Sequence, residues 1–401
     1  MDTRVTSPTG TRPATPHQLT WLGTQLDAWC EEGLLERDQA AAIRGRYHAS
    51  RRVSVGRLLL ALGGAFVGIG LIWLVAANLD QLPPLGRFLA VTAIWLALLA
   101  AGEALAARHR AGAGPRALAE SVRLVAALAF GATIFQAAQS LQVPAYEPKL
   151  VGLWAAGALL HSYAVGSIGP LAVGQLAGSV WFIWQVGYDE PSGLSVVLAL
   201  FVLSGLGLGL AAVHQRLRPD FESSYRELGA LFGLAGLFAA ALPFLTTDDF
   251  GWSLGTAVGV TAALLAVVAG AVLGRGDVRI EPVAAAAVAL VAVGLVLWDT
   301  GAETTGLDVA DWLHALTSVG VYVVVAVGVA ALGTLRDNWR LTALATAAIV
   351  VFTTFQSFAV FAEIIQGAWL FVLLGLVFLG TGFLFDRARR ELAAALEGES
   401  R

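Results

Sequence analysis

Cysteine is nearly absent. Cys30 is the only one among 401 residues, so the chain cannot form an internal disulfide. The six histidines are scattered singly and give no Cys/His spacing of the kind that holds zinc. Charge is scarce as well. Asp, Glu, Lys and Arg make up 13% of the residues, where a soluble domain carries about 25%. Lysine occurs once, as Lys149, and every other basic residue is arginine. Reaction signatures are missing too. There is no Gly-x-Ser-x-Gly, no His-Glu-x-x-His, no phosphate loop ending in Lys and no Cys-x-x-Cys. Gly205, Gly207 and Gly209 lie inside an apolar run and lack the strand-turn-helix setting of a dinucleotide site. No catalytic, cofactor-binding or metal-binding residue is therefore expected, and the chain reads as non-enzymatic. Its arginines collect in links between apolar runs, so nucleic acid is not an expected partner.

What is present is apolar. Hydrophobic residues make up 57% of the chain, and the mean hydropathy is +0.73. The run Leu58–Ala77 contains no charged residue. It has about the 20 residues a helix needs to cross a bilayer. A second run follows closely, and the pattern repeats to the C-terminus. The expected fold is all-α: a polytopic integral membrane protein with about twelve transmembrane helices and a small N-terminal cytosolic helical module. The spans are expected near 58–77, 87–107, 121–141, 150–166, 168–187, 193–213, 227–246, 252–273, 282–298, 314–334, 340–361 and 367–385. The tight link around Gly166, Gly169 and Pro170 leaves a re-entrant or tilted pair open at the fourth and fifth spans.

The charges test that count. Even-numbered links hold Arg108, Arg110 and Arg116, then Arg216 and Arg218, Arg275 and Arg279, and Arg336; the tail holds Arg387, Arg389 and Arg390. Odd-numbered links carry Arg87 and Lys149 but are otherwise acidic, with Asp80, Glu147, Asp189, Glu190, Asp248, Asp249, Asp299, Glu303, Asp308 and Asp311. Basic links stay on the cytoplasmic side. The expectation is a cell (inner) membrane protein with both termini cytoplasmic. The N-terminus has no apolar core followed by a small-residue cleavage site, so no cleaved signal is expected.

Five segments follow. Residues 1–16 read as a disordered tail. Residues 17–56 form a two-helix module with a basic juxtamembrane stretch. Residues 57–166 form a first four-span unit, 167–386 the further eight spans, and 387–401 a cytosolic tail. In the module, Leu19, Leu22, Leu26 and Trp29 make one helical stripe; Gly33 breaks it, and a second helix is expected over about 37–48. Two short helices bury too little apolar surface to stand alone. The stripe is expected to dock on the spans or on a protein partner. Arg44, Arg46, Arg51 and Arg52 are explained by topology and are candidates for contact with anionic lipid.

Several phrases resemble a known family. They are Leu62-Gly63-Gly64 with Gly68 and Gly70, Val75-Ala76-Ala77-Asn78-Leu79-Asp80, and Pro83-Pro84 closing on Arg87. Upstream stand Trp29, Gly33-Leu34-Leu35, Gln39, Ile43 and Tyr47; downstream stand Gly131-Ala132, Gln139, Tyr146 and Leu153-Trp154-Ala155. Together they resemble the predicted prokaryotic membrane proteins called domain of unknown function two-one-five-seven, over roughly residues 17–165. The C-terminal hairpin, ending Gly380-Thr381-Gly382, resembles the tails of such proteins more weakly. Leu79 stands where that family's phrase usually has Trp. The resemblance implies an integral membrane architecture and supplies no reaction.

Polar residues at membrane depth mark candidate sites. Gln136 and Gln139 share a helix face, and with His161 they are candidates to line a polar cavity opening outward; interhelical hydrogen bonding is the plainer role. Asn78, Asp80 and Arg87 flank the Pro-Pro turn as a structural turn or a substrate-facing lip. Glu103 is expected to reach the cytosolic surface or to pair with Arg108 or Arg110. His109, His214 and His314 read as interfacial. No span centre carries an acid or a base. The favoured role is a scaffold, sensor or assembly partner. The alternative is a transporter or flippase-like carrier of a small or lipidic substrate.

Overall fold

The computed structural model describes residues 12–14, 16–49, 83–112, 114–142, 144, 147–189, 192–242, 250–298 and 309–361, together with Gly63, Phe66 and Gly70. Apart from those three residues, the expected span at 58–77 lies outside the described residues, as do the expected span at 367–385 and the C-terminal tail.

The N-terminal module contains α1 (Pro16–Glu31) and α2 (Arg37–Arg44). Gly33 adopts φ +73° and breaks the chain between them, a conformation glycine reaches at little cost. Gln39 accepts a hydrogen bond from the Glu36 N–H at 3.1 Å, one half of a capping box at the start of α2. The second helix stops at Arg44, short of the expected end near 48, and Gly45 caps it. The chain then turns into strand β2 (Tyr47–Ala49), which pairs in parallel with β1 (Arg12–Ala14). This ribbon falls partly in the segment read as a disordered tail. Leu26 is fully buried in the module and Ala40 nearly so, while Trp21 and Leu34 face outward.

Ten long helices follow. They are α3 (Pro84–Arg110), α4 (Arg116–Ser140), α5 (Pro148–Val165), α6 (Ile168–Asp189), α7 (Gly193–Leu217), α8 (Pro219–Ala240), α9 (Leu254–Leu273), α10 (Ile280–Leu297), α11 (Val309–Leu335) and α12 (Trp339–Phe361). Each overlaps one of the expected spans; α8 is displaced most, since it starts at Pro219 and ends at Ala240 where 227–246 is expected. Proline occupies the first turn of α3, α5 and α8, where its missing N–H costs nothing. Seven helices among the described residues are long and apolar enough to cross a membrane. The three outside that set are α5, α6 and α8. They carry His161, Gln175 and Arg226, whose polarity lowers their hydropathy.

Successive helices run antiparallel. Gly166 adopts φ +65° and reverses the chain between α5 and α6, which pair as two full helices. The described arginine-rich links thus fall at one end of the bundle, and the links around Lys149, Asp189 and Trp298 fall at the other. The central helix is α7, which packs against α6, α8, α9 and α10. Some 67% of its apolar window is buried, against 11% for peripheral α3. Glycine permits this crowding. A Cβ on Gly209 would sit 2.4 Å from the Ala266 carbonyl oxygen of α9, and one on Gly207 would sit 2.6 Å from Gly229 Cα of α8. In the half away from the arginines, Phe201, Leu237, Ala292, Tyr322 and Phe352 form a shared apolar core.

Candidate functional site

The first two turns of α8 are the most connected stretch. Successive helical residues point about 100° apart, so consecutive polar side chains face all around the axis. That is tolerable only where neighbours surround the helix, and here they do. Ser224 donates to Gln175 Oε1 of α6 at 2.7 Å. The Tyr225 hydroxyl lies 2.8 Å from the Tyr163 hydroxyl of α5. Arg226 Nε donates to Glu281 Oε2 of α10 at 2.7 Å. Glu227 accepts from Asn338 at 3.1 Å and from Arg340 of α12 at 3.4 Å.

Glu281 is the centre of the ion cluster. Its second oxygen accepts from Arg336 Nη2 at 2.9 Å. Arg226 also pairs with Glu222 one turn back on its own helix. The side chains of Arg226 and Glu281 are 5% and 6% exposed. Two arginines therefore meet two glutamates with no net charge, which is the condition for keeping charge at depth.

A second cluster lies beside it. His214 is buried, stacked on Tyr225 with ring centroids 4.7 Å apart. Its Nδ1 lies 2.6 Å from the Leu210 carbonyl oxygen, which can only accept, so Nδ1 carries the proton. In the neutral ring Nε2 then accepts from the Tyr163 hydroxyl at 2.7 Å, which leaves Tyr225 as the donor to Tyr163. Arg218 donates to the Tyr163 backbone oxygen at 3.0 Å, in the last turn of α5, where carbonyls lack helical partners. His214 is thus an interior hydrogen-bonding residue and not the interfacial one that its place near a span end suggests.

The third cluster joins α3, α4 and the link between α5 and α6. Arg123 makes two bonds to Glu103, at 2.8 and 2.7 Å. It also lies 3.8 Å from Glu120, which accepts from Ser167 at 2.5 Å. Glu103 therefore pairs across helices with Arg123 and not with Arg108 or Arg110. His161 lies within the electrostatic reach of Glu103 and Arg123.

This separates the residues expected to line one cavity. Gln136 is half-buried and Gln139 exposed near the other end of α4. From Arg123 to Gln139 the helix rises about 24 Å. His161 belongs to the Arg123 level, so the structure does not bring it to the two glutamines. Arg87 is half-buried in the first turn of α3, while Asn78 and Asp80 lie outside the described residues. Arg44 pairs with Asp27 at 3.1 Å, and Arg46 is exposed; Arg51 and Arg52 lie outside the described residues.

Sequence reasoning missed Arg123, Arg226 and Glu281. Each stands at the edge of an expected span, where a long side chain ordinarily reaches water. Their signal is pairing of opposite signs on neighbouring helices at one depth, which needs the helix neighbours to be known.

Fold and clusters together define a polytopic helical membrane protein in which the buried charges among the described residues are paired. Residues 27–171 match the family described as Predicted membrane protein (DUF2157), bearing out the resemblance read from the sequence. The match runs from α1 into the start of α6, so it includes Glu103, Arg123 and Tyr163 and stops before Arg226 and Glu281. Gly131 and Trp154 gain a physical role within it. The Trp154 Nε1–H donates to the Ala127 oxygen at 2.8 Å, and a Cβ on Gly131 would sit 2.5 Å from the indole. Comparison with curated proteins and with solved structures found no match.

Proposed function

We propose that the protein is a non-enzymatic, multi-pass protein of the cell (inner) membrane, serving as a scaffold, sensor or assembly partner. About twelve spans cross the bilayer. The arginine-rich end and both termini face the cytoplasm. The observation that carries this reading is the pairing of buried charge. Arg123, Arg226 and Glu281 are each bound to an opposite charge on a neighbouring helix, so none is free to bind or couple an ion. The same pairs tie the arginine-rich end together, as a stable platform for the 17–56 module requires. That module either docks on this end or presents itself to a protein partner, with Arg46, Arg51 and Arg52 beside anionic lipid.

Orientation is tested by single cysteines in a Cys30→Ser background. Lys149→Cys should react with a membrane-impermeant thiol reagent in intact cells, and Gly114→Cys only in inside-out vesicles. The reverse pattern would sink the assignment.

A carrier is the second reading. It is favoured by Gln136 and Gln139, polar groups on the α4 face at the end where fewer polar contacts join the helices. Labelling of Gln139→Cys from both sides of the membrane would favour the carrier. Labelling from neither side would leave the scaffold reading in front.

A further inference from the structure

The helix pair α11 and α12 carries a polar feature used by neither reading. Its register is fixed by contact. Tyr322 stacks on Phe352 with centroids 3.7 Å apart, and its hydroxyl donates to the Ala348 oxygen at 3.2 Å. Residues four apart lie on one helix face. One turn away from the arginine-rich end, the same two ridges put Ser318 opposite Gln356. Both are deeply buried, at 1% and 4% exposed. Ser318 Oγ and Gln356 Oε1 nevertheless have no hydrogen-bond partner among the described residues, neither on each other nor elsewhere. Buried polar atoms are nearly always satisfied, so two facing orphans point to a missing partner between them.

The surroundings describe that partner. No charged residue occurs between Trp312 and Leu335 of α11 or between Leu341 and Phe361 of α12, so a charged occupant would find no counter-charge on either helix. Thr353 is buried beside Gln356 but already bonded to the Ile349 oxygen at 2.7 Å. One turn outward from Ser318, His314 is half-buried and bonded to the Leu295 oxygen at 3.0 Å. His314, Ser318 and Tyr322 therefore form a polar stripe leading in from the acid-rich end. It stops at the Tyr322–Phe352 stack, below which Ala326 and Ala330 are buried and apolar.

We propose that Ser318 and Gln356 form a two-point site for a small uncharged hydroxyl molecule, water or a short alcohol. The molecule donates to Gln356 Oε1 and exchanges a hydrogen bond with Ser318 Oγ. Such a site meets the minimum of two polar partners that a buried water requires.

The test uses the full chain with Cys30→Ser. Ser318→Cys is close to isosteric, and Ala326→Cys two turns deeper on the same face is the dry control. Only the thiolate reacts, and it forms only where water reaches, so Ser318→Cys should react with a small methanethiosulfonate on the order of tenfold faster than Ala326→Cys. Adding Gln356→Leu should remove most of that advantage. Slowing by molar glycerol would assign the site to an alcohol, and no slowing would assign it to water. Reaction no faster than at the control, or an advantage untouched by Gln356→Leu, would overturn the proposal.

Discussion

At the arginine-rich end, side chains from neighbouring helices meet in charged pairs: Glu103 with Arg123, Arg226 with Glu281, Arg336 with Glu281, and Arg340 with Glu227. At the opposite end most described polar contacts stay local. Gln185 bonds Asp189, Ser192 bonds Ser195, Ser253 bonds Thr256, and Lys149 pairs with Glu147. The contacts from Ser140 to the Pro84 oxygen and between His314 and the Leu295 oxygen cross between helices there, and neither is an ion pair. The links differ in the same sense. Val165 leads to Ile168 and Leu217 to Pro219 almost directly, whereas Ala240 reaches Leu254 and Leu297 reaches Val309 by longer connections. The other end relies on apolar packing around Phe201, Leu237 and Phe352, which carries no directional constraint.

That contrast can be broken by substitution. Glu281→Gln should have the largest effect. It removes the charge that Arg226 and Arg336 share and turns one of the two accepting oxygens into an NH2 donor facing an arginine, and breaking a buried pair costs about 3–5 kcal/mol in unfolding by denaturant in micelles. Gly209→Ala should come next. Its Cβ would press on the α9 backbone, and overpacking of this kind costs about 1–3 kcal/mol. His214→Phe keeps the ring but leaves the Tyr163 hydroxyl without its acceptor, for about 1–3 kcal/mol, read as a lowered thermal midpoint. Arg44→Ala removes an exposed pair with Asp27 and a long 3.5 Å bond to the Gly23 oxygen, and should cost under about 1 kcal/mol.

The helices themselves were legible in the sequence. Long apolar runs and arginine in alternate links anticipated ten of them, each overlapping its observed range, although α8 starts eight residues before the expected 227. The module break at Gly33 was legible for the same kind of reason, since left-handed backbone favours glycine. Pairing between helices was not. Glu103 near a helix end looks like a side chain reaching for water, and only the position of Arg123 across α3 and α4 shows otherwise. His214 looks interfacial until Tyr163 and Tyr225 close over it. The grouping of Gln136, Gln139 and His161 was read from the span order, and it fails on depth: His161 stands near the opposite end of its helix. Gly207 and Gly209 announce close packing, but not that their partners are Gly229 and Ala266.

The claim that one end is clasped by charge is tested most directly by comparing Glu281→Gln with Asp189→Asn in the same unfolding assay. Asp189 is exposed, and its contact with Gln185 lies within one helix. The account predicts a loss of about 3–5 kcal/mol for the first. It predicts a change within about 0.5 kcal/mol for the second, as for most surface substitutions. Equal effects, or a Glu281→Gln protein as stable as the parent, would contradict it.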